Sequence, residues 1–264
     1  MHRRGLYLAA SAIGTYAFSA TAHSSPRTLD EQHREAGTYP RRKVLEYGQG
    51  LCDKDPDNYD LLWRVARAKH QVAMEPGTPL SERSSLLKSA VHDVEKSKAF
   101  VRDDPALYRW CGIILGDYTA FQGSKEAIAS AFEVRGCFAQ ALTLDPYDAS
   151  AHHLMGRWAL SIATMNPWTR WLASTLYAEP PKATLEEALA CFERAEAISP
   201  GFWVANTYYL AKTAHLMGNK ALAVKWATTA LRLPVLNSDD KDNHKLAHEL
   251  LNGLDAKAAS EFTG

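Results

Sequence analysis

The sequence predicts an all-α chain, a helical solenoid of hairpins with insertions between their helices, and three observations carry that expectation. No strand-like alternation of any length occurs, and stretches with helical spacing dominate. The stretches are broken by Asp55-Pro56, Asp104-Pro105, Asp145-Pro146 and Ser199-Pro200. Proline ends a helix and turns its predecessor away from helical torsions, so each pair marks a helix terminus. The residues before these prolines also recur in register. Phe138, Ala141 and Pro146 stand at spacings of three and five, and Phe192, Ala195 and Pro200 repeat them, with Ala188 four residues ahead of the phenylalanine.

In the last unit Ala223, Ala227 and Ala230 precede Pro234, which lies 34 residues after Pro200. That period, with small residues where two helices pack closely, is the tetratricopeptide signature. Its first helix contributes Leu210, Ala211 and Ala214, and Gly218-Asn219 makes the turn. The other intervals are 49, 41 and 54 residues, which is 34 with 15, 7 and 20 added. The additions are placed between the two helices of each hairpin, at Glu75–Ser85, Gly116–Lys125 and Thr164–Ala183. The first unit matches poorly and rests on Trp63 and a Leu/Val pattern around Leu86–Val94. Arg41–Lys54 reads as a preceding helix and Asp240–Leu254 as a closing one. A tetratricopeptide-like domain over residues 30–255 is expected, with three hairpins, flanking helices and a short tail at 256–264.

The composition agrees with a packed domain. Of 264 residues, 46% are hydrophobic and 23% charged, which excludes a collagen-like, disordered or disulfide-scaffold protein. Thirty basic residues balance thirty acidic ones, so a whole-molecule nucleic-acid binder is excluded too. The balance is a cancellation: residues 1–29 carry +3, 30–148 carry −3, 149–238 carry +3 and 239–264 carry −3. Between Glu196 and Asp239 there is no acid, while Lys212, Lys220, Lys225 and Arg232 fall there. Cys52, Cys111, Cys137 and Cys191 are widely spaced and share no C-x-x-C pair, and they read as buried, reduced thiols.

Residues 1–29 join a basic Met1–Arg4 to an apolar, Ala- and Ser-rich Gly5–Ala22. A secretory signal, a mitochondrial presequence and a short anchor all fit that pattern. The reduced cysteines tilt the reading to mitochondrial targeting or loose membrane association.

No enzyme is expected. The stretch from Gly112 to Gly116-Asp117 lacks the Lys-Ser/Thr of a phosphate loop, and neither H-E-x-x-H nor G-x-S-x-G occurs. His244 and His248 are four apart but have no third ligand nearby, and they read as solvated histidines. His152 and His153 point to different helix faces. No catalytic, cofactor-binding or metal-binding residue is assigned.

Particular stretches then carry a resemblance. Leu61-Leu62-Trp63-Arg64-Val65-Ala66-Arg67-Ala68, His153-Leu154-Met155-Gly156-Arg157-Trp158, Pro167-Trp168, Pro180-Pro181 and Phe192-Glu193-Arg194-Ala195-Glu196 together resemble the regulator of microtubule dynamics proteins. The likeness runs from about Leu61 to Leu251, and the Arg-Arg-Gly-Leu start is most like the family's short member. It implies a non-catalytic interaction module at microtubules and spindle poles in the cytoplasm. It also implies an alternative, because in a relative the tetratricopeptide domain binds phospholipid at organelle contacts, which would place the chain at mitochondria or another organelle.

Two groups of residues are candidates for a working surface. Positions three to five apart stay on roughly one side of a helix, so Lys220 and Lys225 are read as neighbours with Arg232 about two turns on. With Lys212 they would bind an anion, either an acidic protein tail such as the glutamate-rich termini of tubulin or a phospholipid headgroup. The plainer reading is a solvated face that merely lacks acids. The second group lies in the third insertion. Asn166 is placed as N-cap and Pro167 in the first turn, and Trp168, Trp171, Leu172, Thr175 and Leu176 then form one stripe with Arg170 off it. Trp168, Trp171, Leu172 and Leu176 would line an apolar pocket or groove, or dip into a membrane interface. The plainer reading has them plug the concave groove as core.

Overall fold

A computed structural model describes residues 29–31, 40–176 and 181–262. The targeting or membrane-associating segment read over residues 1–29 lies almost wholly outside them. The chain folds as two compact units that divide after Asp145. Among the described residues there is no strand, and each unit is a run of antiparallel helices in the tetratricopeptide manner.

In the amino-terminal unit α1 (Arg41–Cys52) packs on α2 (Tyr59–Ala73), α2 pairs with α3 (Leu80–Lys98), and α4 (Pro105–Gln122) pairs with α5 (Ser124–Leu144). The starts are set by local chemistry. Asn58 accepts from the Leu61 amide at 2.9 Å, and Asp104 accepts from the Ala106 amide at 2.8 Å with Pro105 opening the helix. One core cluster joins Leu29, Val44, Leu45, Leu61, Val65, Ala68 and Val72. Further along, Gly112 of α4 lies under the ring of Phe138 from α5. A Cβ at Gly112 would stand 2.4 Å from Phe138 Cε1.

In the carboxy-terminal unit α6 (Ala149–Ala163) pairs with α8 (Leu185–Ile198), and α7 (Pro167–Leu176) lies in the connection between them. Then α9 (Val204–Leu216) pairs with α10 (Lys220–Arg232), and α11 (Ser238–Leu254) covers that hairpin before the short α12 (Ala256–Ser260). Asp148, Asn219 and Asn237 cap their helices, and Thr184 with Glu187 forms a capping box. The close approach of the first unit is repeated here: a Cβ at Gly156 of α6 would stand 2.8 Å from Phe192 Cε1 on α8.

The additions to the repeat are not all loops. Gly116–Lys125, read as an insertion between two helices, is helix on both sides of one residue. Helix α4 runs through Gln122, α5 starts at Ser124, and Gly123 alone makes the turn at φ 144°, a torsion open to glycine only. The extra residues add turns to both helices, because each added turn extends an existing apolar stripe. Glu75–Ser85 likewise shrinks to the link Met74–Pro79, the rest being the first turns of α3. Only the third addition holds an element of its own, α7. The first hairpin, weak in the sequence, is fully formed. Helix α3 buries Ala90, Val94 and Ser97 at the same spacing as Ala188, Phe192 and Ala195 of α8.

Candidate functional site

The basic block folds into α9 and α10, and helix geometry divides its four cations. On α10 the buried residues are Ala223, Ala227 and Ala230. At 100° per residue, Lys225 and Arg232 lie within about 20° of each other on the side opposite that stripe. Lys220 is about 140° from Lys225 and flanks the buried stripe. The expectation that Lys220 and Lys225 are neighbours is therefore corrected: five residues is too far round the helix, and the pair that shares a face is Lys225 and Arg232. All three are exposed, and none of the four cations makes an ion pair among the described residues. Lys225 Nζ lies 4.8 Å from the ring centroid of Trp226.

Lys212 belongs to a different setting. It is half-buried on α9, with Nζ 5.5 Å from the Tyr209 ring and 6.0 Å from the Tyr208 ring. The guanidinium of Arg157 on α6 lies 4.8 Å from the same Tyr209 ring. Tyr209 also stacks on Phe192 at 5.6 Å and meets His153 edge-on at 5.7 Å. The result is an aromatic cluster carrying two cations, a cation–π arrangement. Burial pushes the Tyr208 phenol up to about 12, so it keeps its proton. Burial also raises Asp239, at the start of α11, to about 6, against the Trp203 indole that donates to it at 3.1 Å and the nearby Arg157 charge.

Beneath the cluster His153 is fully buried, and its Nδ1 donates to Asn206 Oδ1 at 3.0 Å. The amide is oriented by its other end, where Nδ2 donates to the Phe192 carbonyl at 3.2 Å and to Glu196 at 3.0 Å. Desolvation holds the imidazole neutral, pushed down to about 3. At the far end of the unit, His244 Nε2 donates to the Leu233 carbonyl at 3.0 Å.

On α7, Asn166 accepts from the Thr169 amide at 2.7 Å, the cap expected of it, and Arg170 donates to the Ile162 carbonyl at 2.7 Å. Trp168 and Trp171 are 67% and 53% exposed and stack on one another with centroids 4.8 Å apart. These two indoles therefore do not plug a groove as core, because a plug would have to be enclosed. The side chains of Leu172 and Leu176 lie outside what is described. Replacing either tryptophan by alanine is expected to change stability by about 1 kcal/mol or less, since the loss is confined to one exposed ring pair. Urea denaturation of Trp168→Ala and Trp171→Ala chains checks this, and a loss of the size seen for core tryptophans would contradict the placement.

The amino-terminal unit holds a second charged cluster. Asp30 pairs with Arg64 at 2.9 Å and Arg67 at 2.8 Å, and Arg64 lies 4.2 Å over the Trp63 ring. His70 meets Asp117 at 2.7 Å in the interior. Burial pushes the Arg67 guanidinium down to about 10, partly countered by Asp30.

Comparison with known proteins places these residues in context. The model of one family, described as regulator of microtubule dynamics protein 1-3, matches residues 27–255. The chain belongs to this family. Regulator of microtubule dynamics protein 1 of Bos taurus is 36% identical over 204 residues, covering 77% of this chain and 64% of the relative. The Mus musculus protein of that name is 34% identical over 201 residues, covering 76% and 66%. The chain thus spans just under two thirds of the length of these two relatives. A thermophilic TPR protein of Thermus thermophilus has the same fold, with a TM-score of 0.59, 14% identity, and coverage of 86% of this chain and 98% of its own.

The family match takes in both clusters. Lys225 and Arg232 were legible as cations, since only the lack of acids was needed to see them. Arg157, Tyr208 and Tyr209 were missed. An adjacent tyrosine pair on α9 was the available signal, but its partner Arg157 lies on another hairpin. Arg64 and Arg67 stand one turn apart in the stretch Leu61–Ala68, which was signal enough to mark them.

Proposed function

We propose that this chain is a non-catalytic interaction module of microtubules in the cytoplasm, and that it meets the acidic tails of tubulin through the solvent face of α10. One observation carries the reading: Lys225 and Arg232 share one exposed stripe of a hairpin that has no acid, and neither is spent on an ion pair within the described residues. Membership of the family and the tetratricopeptide fold support it, because hairpin stacks present extended surfaces to protein partners. The names of the relatives supply the microtubule.

Exposed ion pairs contribute about 1 kcal/mol or less each, so a single tail would be held weakly and in a salt-dependent way. A filament presents many tails, and repeated weak contacts add up when several engage together. Reversing two charges in Lys225→Glu/Arg232→Glu is expected to weaken co-sedimentation with microtubules about tenfold. A Lys212→Gln chain, whose cation is held over tyrosines, serves as the comparison. Undiminished pelleting of the double variant overturns the assignment of the α10 face.

A further inference from the structure

Four thiols are described, and two of them are in contact. Cys111 of α4 and Cys137 of α5 hydrogen-bond sulfur to sulfur at 3.3 Å, although 26 positions separate them in sequence. The last turn of α3 brings charges to the same place. The Cys111 thiol donates to Glu95 Oε1 at 3.5 Å, and Lys98 Nζ lies 2.8 Å from that carboxylate and 3.7 Å from Glu133 of α5. An ammonium beside a sulfur pair favours a thiolate there. The two sulfurs are not equivalent. Hydrogen bonding between them lowers Cys137 and raises Cys111 well above its ordinary value, so Cys137 is the sulfur that gives up its proton more readily. Cys137 is 5% exposed and Cys111 is not exposed at all. Cys52 and Cys191 provide the contrast, since burial pushes both up to about 11, for Cys52 despite the opposing charge of Lys69.

We infer that Cys111 and Cys137 form a redox-active dithiol that a hydroperoxide converts into a disulfide joining α4 to α5. Cys137 is the attacking sulfur, being the one with an opening to solvent and with Lys98 to hold its charge. Its thiolate attacks an oxygen of hydrogen peroxide; an S–O bond forms, the O–O bond breaks, and the departing hydroxide takes up a proton to become water. Cys111 then attacks the Cys137 sulfur of the sulfenic acid. An S–S bond forms, the S–O bond breaks, and the hydroxyl leaves as water with the Cys111 proton. Two thiols lose two electrons and two protons, and one hydrogen peroxide becomes two waters. Because the sulfurs stand 3.3 Å apart, the second step needs them to close by only about 1.3 Å to reach disulfide length, and over-oxidation of Cys137 is outrun by ring closure.

The test uses the full chain, treated with hydrogen peroxide under native conditions, alkylated, and digested without reductant. The expected result is a peptide joining Cys111 to Cys137, with Cys52 and Cys191 recovered as alkylated thiols. In a Cys111→Ser chain, dimedone is expected to label Cys137 as its sulfenic acid. In Lys98→Met the disulfide is expected to form several-fold more slowly. Recovery of Cys111 and Cys137 as alkylated thiols to the same extent as Cys52 overturns the proposal, and so does dimedone labelling of Cys52 or Cys191 in preference to Cys137.

Discussion

Alanine at Gly112 is expected to destabilise the chain by about 2 kcal/mol, although alanine in an exposed helix is worth up to about 1 kcal/mol more than glycine. The sign is decided by space. The added Cβ would stand 2.4 Å from Phe138 Cε1 and 2.8 Å from Cδ1, and Phe138 is buried, so its ring has nowhere to go. Gly156→Ala meets Phe192 at 2.8 Å and is expected to follow with a smaller loss. Gly136→Ala is the internal control: nothing lies within 4 Å of its Cβ position on α5, so propensity alone acts and stability is expected to rise by up to about 1 kcal/mol. Chemical denaturation of the three variants orders them. A stabilised Gly112→Ala chain would mean that the glycine and the phenylalanine do not interlock, and Phe138→Ala in the same chain should relieve part of the clash.

Acid is expected to weaken the carboxy-terminal unit through His153. Its imidazole is held neutral in the folded state, pushed down to about 3, whereas an unfolded histidine takes up a proton near pH 6.5. As pH falls below about 6.5 the unfolded state binds a proton that the folded state refuses. The contribution is therefore whole above that pH and declines toward pH 3, by about 2 kcal/mol at pH 5. Asp239 acts with the opposite sign. Its folded value is raised to about 6, so the folded state takes the first proton and gains stability as pH falls through 6 toward the ordinary carboxylate range. Single variants separate the two. Denaturation midpoints between pH 7.5 and 5 should fall less steeply in His153→Gln than in the native chain, and more steeply in Asp239→Asn. Parallel slopes in all three chains would contradict both assignments.

The sequence was most informative where one residue type can serve. Phe138 and Phe192 stand at matched distances from prolines, and that match yields the hairpins. Their glycine partners carry no such mark, because Gly112 and Gly156 lie a whole helix away, and their use is visible only when the ring lies over them. The first hairpin was weak in the sequence for a similar reason. Val94 stands where α5 and α8 have phenylalanine, and Pro105 follows Ser97 three residues later than Pro200 follows Ala195. The Trp168–Trp171 stripe was legible as a stripe, but period alone does not say whether its face is covered. The thiol pair was illegible, since contact between Cys111 and Cys137 depends on the relative register of two helices lengthened past the repeat.

The one-residue turn at Gly123 sets an order of events in folding. Helices α4 and α5 are joined with almost no chain between them, so bringing them together removes little freedom from the unfolded chain. Helices α6 and α8 must instead be closed over everything from Thr164 to Thr184, and α7 has to find its place in the same interval. The α4–α5 hairpin is thus the cheaper nucleus, built from contacts close in sequence, and the α6–α8 hairpin is the slower partner. During synthesis the hairpin with the short turn also emerges before the α6–α8 hairpin, so the earlier of the two is committed to structure before the later one must search for its own.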